Sequence, residues 1–97
     1  MKIGVIAKLV IQPGTNQAFE DAFLQYEKAV HENEAGNIFF RLHRSKKDNC
    51  AYTVLEQYSD QAALDVHQNA EYYKAIPDTF GEFMAGPADI EYLDGVS

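Results

Sequence analysis

Hydrophobic and polar residues alternate along the first dozen positions of the chain. One face of this segment carries five apolar side chains, Ile3, Val5, Ala7, Leu9 and Ile11. The other face carries Gly4, Ile6, Lys8 and Val10. A period of two predicts a β-strand over residues 3–11, and apolar residues on both faces predict that both are covered. Pro13-Gly14 ends the strand, and Thr15 or Asn16 is placed to cap the helix that follows.

Apolar residues then recur at helical spacing between residues 18 and 30. They predict an amphipathic helix whose inner face carries Phe19, Ala22, Phe23, Tyr26 and Val30. Gly36 supplies the permissive backbone that ends such a helix.

Two further alternating runs, at residues 38–43 and 52–58, flank a polar turn and predict a β-hairpin. In the first run, Ile38, Phe40 and Leu42 share a face. Ser59 or Asp60 is placed to cap a second helix, and a short helical stripe contains Phe80, Phe83 and Met84. The sequence pattern over residues 88–93 predicts a last strand.

The order of these elements predicts the fold class. The pattern β-α-β-β-α-(α)-β is typical of a ferredoxin-like split βαβ fold in the α+β class. We therefore expect a single domain over residues 1–97, with a four-stranded antiparallel sheet and helices on one face. Because the strands are apolar on both sides, a second copy of the same sheet is the simplest cover, which predicts a homodimer through the sheet faces.

Charge and cysteine content narrow the classes of function. Eight Lys and Arg against fifteen Asp and Glu give a net charge of −7 and a pI near 4.7. Such a surface repels nucleic acid and anionic lipid, so neither is an expected partner. Cys50 is the only cysteine, and the start of the chain has no signal-peptide pattern, so we expect a cytoplasmic protein.

Searches for metal and cofactor motifs find none. The chain has no glycine-rich phosphate loop, no His-Glu-x-x-His and no paired cysteines. Its histidines, His31, His43 and His67, lie far apart in sequence. We predict neither a metal nor a bound cofactor.

Two segments, 34–37 and 55–67, carry a family resemblance. Together with the turn at residues 13–14 and the segment 72–74, they resemble the antibiotic biosynthesis monooxygenase family over essentially the whole chain. The most specific piece is Glu-x-aromatic, followed by an acid or Ser, then Ala, a large apolar residue and His. The resemblance implies a dimeric α+β barrel with a pocket in each subunit, between the sheet and its own helices.

Several members of that family oxygenate quinols or dihydroxy-aromatics without metal or flavin, which implies a cofactor-independent monooxygenase. Two alternatives stay open: a non-oxygenase that processes or binds a small signalling metabolite, phosphorylated or not, and a non-catalytic dimeric ligand-binding module. Arg41, Arg44 and Lys74 keep the metabolite alternative open, unless they are ordinary solvated charges. Haem degradation is disfavoured because the corresponding positions hold Ala7, Val66 and Ile76.

The resemblance also implies candidate catalytic residues. His67 matches the recurrent histidine of the family and is expected to act as a general base or to orient the substrate, unless it is a packed structural histidine. Tyr58 stands where oxygenase members often carry Trp, and it either lines the pocket or packs in the core. Asn37 matches a recurrent Asn, although Asn after Gly is also ordinary turn chemistry.

Five further residues are expected to contact the substrate, namely Glu56, Phe39, Tyr73, Phe80 and Phe83. Glu56 shares a strand face with Val54 and Tyr58, so its carboxyl group needs a buried partner or a ligand. Val54 departs from one oxygenase branch, which has Asn at this position.

Overall fold

Four strands and four helices make up the protein, and the computed structural model describes all of residues 1–97. The elements in chain order are β1 (Ile3–Val10), α1 (Asn16–Asn33), β2 (Asn37–Arg44), β3 (Ala51–Tyr58), α2 (Gln61–Asn69), α3 (Glu71–Lys74), α4 (Ile76–Phe80) and β4 (Asp89–Asp94). A single 3-10 turn, Gly81–Phe83, follows α4. No helix is both long enough and apolar enough to cross a bilayer.

The strands form one sheet in the order β2-β3-β1-β4, and all three pairings are antiparallel. The helices cover one face, so the predicted ferredoxin-like α+β architecture is confirmed. Strand β3 shows why the period of two is informative. Its residues Tyr52, Val54, Glu56 and Tyr58 all point into the helix-covered face and are buried, while Leu55 between them is exposed.

Helix α1 supplies most of the core opposite the sheet. Its four buried residues, Phe19, Phe23, Tyr26 and Val30, are those that the helical spacing predicts. The helix is longer than the apolar stripe, since it continues to Asn33. The predicted cap is wrong: Thr15 occupies the N-cap position, but its hydroxyl donates to the Gln12 carbonyl at 2.7 Å. The predicted cap of α2 is confirmed, because Asp60 Oδ1 accepts from the Ala63 amide at 2.8 Å.

The first residues of β2 depart from the predicted alternation. The register shifts between Asn37 and Phe39, so one extra residue is accommodated opposite β3. Ile38 lies at this bulge and is 47% exposed instead of pointing inward with Phe40. A bulge breaks the period of two locally, and the sequence pattern contains no signal for it.

The face of the sheet away from the helices carries exposed apolar side chains among polar ones. Side chains of all four strands contribute to it, and we call Ile6, Val10, Phe39, Leu55 and Leu93 the outer apolar face. Four of the five are at least 38% exposed. No element of the chain covers this surface.

Candidate active site

A cavity of about 410 Å³ lies between the sheet and the helices that cover it. This volume is within the range of small-molecule sites, roughly 300–1,000 Å³. Its walls are mainly aliphatic and aromatic, and they include Val5, Ala7, Leu9, Val54, Phe80 and Met84. Six lining residues have polar side chains, and they are Tyr26, Glu56, His67, Gln68, Tyr73 and Tyr92. Neither Lys nor Arg lines it.

A tight contact between α2 and the turn after α1 sets the geometry of one wall. The Gly36 carbonyl accepts a hydrogen bond from the Ser59 amide at 2.9 Å. A Cβ at position 36 would lie 2.5 Å from the Cβ of Ala63, so only glycine permits this approach. The contact brings the last turn of α1, with Glu34, against the inner face of α2, with His67.

His67 is held at both ring nitrogens. Nδ1 lies 2.9 and 3.1 Å from the two carboxylate oxygens of Glu34, and Nε2 lies 3.2 Å from the hydroxyl of Tyr26. Tyr72 donates a further hydrogen bond to Glu34. Glu34 accepts here, so Nδ1 carries a proton, and in the neutral ring Nε2 accepts from Tyr26. These four side chains, Tyr26, Glu34, His67 and Tyr72, are called the His67 network below.

The His67 network is buried, and its histidine presents no free nitrogen to the cavity. His67 is 2% exposed and Glu34 is 6% exposed. The Tyr58 and Tyr73 rings pack on the imidazole, with centroid separations of 5.2 and 5.1 Å. The imidazole therefore holds the Tyr26 hydroxyl at the cavity wall.

A second buried acid stands on the sheet side of the cavity. The Tyr58 hydroxyl donates to Glu56 Oε1 at 2.6 Å. The pKa of Glu56 is raised from 4.5 to about 7: burial raises it most, the hydrogen bond from Tyr58 lowers it, and the charge of Glu34 raises it. Burial also raises the pKa of Tyr58 above its usual range, so Tyr58 remains a neutral donor.

Four of the eight sequence-predicted site residues line the cavity, and they are His67, Glu56, Tyr73 and Phe80. Tyr58 is fully buried and reaches the cavity only through Glu56. Phe83 packs beneath the cavity against Phe19, with ring centroids 6.2 Å apart.

Two predicted site residues lie away from the cavity. The Asn37 side chain donates to the carbonyl of Phe39 at 3.1 Å, within its own strand. This is the local turn chemistry that the sequence offered as the alternative. Phe39 points to the outer apolar face and is 39% exposed, because it alternates with the buried Phe40. The sheet itself separates Phe39 from the cavity.

Glu34, Tyr26 and Tyr72 are site residues that sequence reasoning missed. The sequence contains weak indications that Glu34 and Tyr26 belong to the site. Glu34 begins the family-like segment 34–37, and Tyr26 is the one hydroxyl on the buried stripe of α1, where a buried hydroxyl needs a partner. Tyr72 gave no separate signal, since the segment 72–74 did not distinguish its two tyrosines.

The basic residues that suggested a phosphorylated ligand in the sequence lie on the surface of the protein. Arg41 pairs with Glu27 at 3.2 Å and Arg44 pairs with Glu20 at 3.1 Å, both on the outer part of α1. Lys74 is exposed. No group of three His, Cys, Asp or Glu side chains is arranged to hold a metal ion.

Comparison with known proteins agrees with this geometry. The sequence model of the antibiotic biosynthesis monooxygenase family matches residues 2–78. A crystal structure from Caulobacter crescentus CB15, named as a candidate antibiotic biosynthesis monooxygenase, is 42% identical, with a TM-score of 0.94 over 99% of this chain and 91% of that one. A protein from Pseudomonas aeruginosa is 27% identical, with a TM-score of 0.82 over 99% of this chain and 95% of that one.

A third structure, a candidate antibiotic biosynthesis monooxygenase from Nitrosomonas europaea, is 21% identical and shares the fold, with a TM-score of 0.90 over 98% of this chain and 90% of that one. The family match covers most of the chain, including all four residues of the His67 network. The chain therefore belongs to the antibiotic biosynthesis monooxygenase family.

Proposed function

We propose that the protein is a cofactor-independent monooxygenase that acts on a small quinol or dihydroxy-aromatic compound. The observation that carries this proposal is the apolar cavity with the Tyr26 hydroxyl held at its wall by His67 and Glu34. An aromatic ring fits apolar walls, and its hydroxyl groups need fixed polar partners at defined points.

The reaction requires loss of a proton from the substrate, so that its anion can pass an electron to dioxygen. An apolar cavity supports this chemistry because it excludes water and strengthens the few electrostatic contacts inside. Tyr26 is the orienting group: burial raises its pKa above the usual range, so it stays protonated. Its proton is donated to His67 Nε2, and its oxygen accepts a hydrogen bond from a substrate hydroxyl. His67 fixes the position of Tyr26.

The absence of Lys and Arg from the cavity wall favours an uncharged aromatic ligand over a phosphorylated metabolite. A phosphate in this cavity would have no cation to pair with, which is costly in an apolar site. The pairing of Arg41 with Glu27, and of Arg44 with Glu20, gives the surface charges a structural role instead.

The test is oxygen consumption by the purified protein with a panel of hydroquinones, naphthohydroquinones and catechols. We expect at least one member to be consumed with stoichiometric uptake of oxygen, without added metal, flavin or haem. Equilibrium binding of the same panel is measured in parallel. Tight binding without oxygen uptake would contradict the monooxygenase and favour the ligand-binding module.

We also propose that the protein is a cytoplasmic homodimer assembled through the outer apolar face. An exposed apolar surface across four strands is characteristic of an interface. A second copy supplies a matching apolar surface, and a two-fold arrangement buries the same residues on both sides.

A further inference from the structure

The two carboxylate oxygens of Glu56 have different surroundings. Oε1 accepts the hydrogen bond from Tyr58 at 2.6 Å, and Oε2 accepts none from any part of the chain. No buried side-chain nitrogen or oxygen in the protein lacks a hydrogen-bond partner. Oε2 is therefore accessible, and the accessible space beside it is the cavity that Glu56 lines. One oxygen is anchored, and the other is free to accept a proton from a ligand.

The surroundings of Glu56 make it a proton acceptor at neutral pH. Its strand neighbours across the sheet are Val5 and Phe40, so its charged form is poorly solvated. Its pKa, raised to about 7, keeps both protonation states populated, which general-base catalysis requires. The titratable groups that face it come from every element around the cavity, and they are Tyr26, Glu34, Tyr58, His67, Tyr73 and Tyr92.

None of these groups is as well placed to accept a proton. A tyrosine hydroxyl is a weaker proton acceptor than a carboxylate. Glu34 is a carboxylate, but His67 and Tyr72 already engage it. His67 has its Nε2 occupied by Tyr26 and its Nδ1 by Glu34. Proton transfer to His67 would require the Tyr26 hydroxyl as an intermediate, whereas Oε2 of Glu56 is directly accessible.

We propose that Glu56 is the general base of the site and that Oε2 takes the hydroxyl proton of a dihydroxy-aromatic substrate. This inference rests on the proposed function. The phenolic O–H bond breaks, an O–H bond forms on Oε2, and the electron pair stays on the substrate oxygen. The products are a phenolate and a neutral Glu56. Tyr58 is a positioning residue, since it fixes Oε1 and directs Oε2 to the cavity.

The first test is the pH dependence of kcat/KM with a hydroquinone that the panel identifies. For the wild type, we expect kcat/KM to rise with pH to a plateau, with a midpoint near pH 7. Glu56→Gln should lower kcat/KM by roughly 10²–10⁴-fold and remove this rise. Glu82→Gln is the matched control, because Glu82 is exposed and makes no side-chain contact; it should match the wild type. Wild-type kcat/KM and pH profile in Glu56→Gln would overturn the proposal.

A Tyr58→Phe variant tests the assignment of Glu56 as the base independently. The hydrogen bond from Tyr58 stabilises the charged form of Glu56, so its removal should move the midpoint to higher pH. A merely structural tyrosine would change the amount of folded protein and leave the midpoint unchanged. An unchanged midpoint in folded Tyr58→Phe therefore contradicts the assignment.

A binding experiment separates this inference from the proposed function. Nitrocatechol changes its visible absorption when it loses a proton, and it needs no turnover. We expect the wild type to bind it as the phenolate, and Glu56→Gln to bind it as the neutral phenol. If no hydroquinone is oxidised but this difference appears, the monooxygenase proposal fails and the base assignment stands. The same ionisation state in both proteins, or no binding to the wild type, overturns the base assignment.

Discussion

Two buried carboxylates with different partners define the site at the scale of single residues. Glu34 accepts one hydrogen bond from His67 Nδ1 and another from the Tyr72 hydroxyl. Glu56 accepts from Tyr58 alone. Each hydrogen bond that a buried carboxylate accepts stabilises its charged form. Glu34 is a fixed structural acceptor, and Glu56 titrates near neutral pH.

Removal of one hydroxyl tests the orienting role of the His67 network. We expect Tyr26→Phe to lower kcat/KM by about 10²-fold, since a substrate that loses its orienting contact is misplaced by an ångström or so. Tyr72→Phe is the matched control. It also removes a hydroxyl from the network, but Tyr72 does not line the cavity, so kcat/KM should stay within a few-fold of wild type. Equal losses in both variants would indicate a structural network.

The raised pKa of Glu56 predicts a pH-dependent stability. The folded state holds this proton up to about pH 7, whereas the unfolded chain releases it near 4.5. The contribution of Glu56 to the free energy of unfolding is therefore fully present below pH 4.5, falls between pH 4.5 and 7, and is lost above pH 7. At about 1.4 kcal/mol per pKa unit, the loss is about 3 kcal/mol.

Glu56→Gln should abolish that component of the pH dependence. Denaturant unfolding across this pH range should show the variant more stable than the wild type at alkaline pH and similar to it under acid conditions. Glu82→Gln should follow the wild-type curve. If the two glutamine variants give the same curve, Glu56 is not desolvated in solution.

At the scale of elements, the site depends on how closely α2 approaches the turn that precedes β2. That turn holds Gly36, and the Ser59 amide bonds to its carbonyl. The approach fixes the relative position of two segments that are far apart in sequence. Glu34 is the C-cap residue of α1, and His67 lies two turns into α2.

A methyl group at position 36 tests this contact. Gly36→Ala would place its Cβ 2.5 Å from the Cβ of Ala63, so α2 must shift. We expect a loss of stability of about 1–3 kcal/mol, measured by denaturant unfolding, and a lower kcat/KM. Gly81→Ala is the matched control, since nothing lies within 4 Å of the added Cβ and the backbone is helical. Ala63→Gly in the Gly36→Ala background should restore part of the activity; no restoration would contradict the clash.

At the scale of the whole molecule, the outer apolar face leads to the expected assembly. The helices shield one side of the sheet, and the other side exposes aliphatic and aromatic residues on each strand. The chain is too short to supply another layer.

A charge on the outer apolar face should separate the proposed dimer. We expect sedimentation to show a dimer for the wild type at micromolar concentration and a monomer for Leu55→Arg, because a buried unpaired charge is costly. Leu24→Arg is the matched control. Leu24 is 53% exposed on α1, away from the sheet, and this variant should remain a dimer. A monomeric wild type, or a dimeric Leu55→Arg, would contradict assembly through this face.

The sequence by itself determined the elements and their order. Periods of two and of 3.6 residues are local, and burial on one face of a strand or helix is enough to produce them. Buried Phe19, Phe23 and Tyr26 on α1, and buried Val54 and Glu56 on β3, follow from these periods alone. The antiparallel sheet with helices on one face follows from their order.

Only the tertiary structure decided which polar groups meet. Glu34 and His67 are 33 positions apart, and no local sequence pattern predicts their contact. The contact depends on Gly36, which lets α2 approach closely because it has no Cβ. Nor does a local pattern predict the position of Ile38, which the bulge in β2 leaves 47% exposed although the alternation predicts the face of Phe40 for it. The cavity itself is a space between packed side chains, and its shape depends on all of them at once.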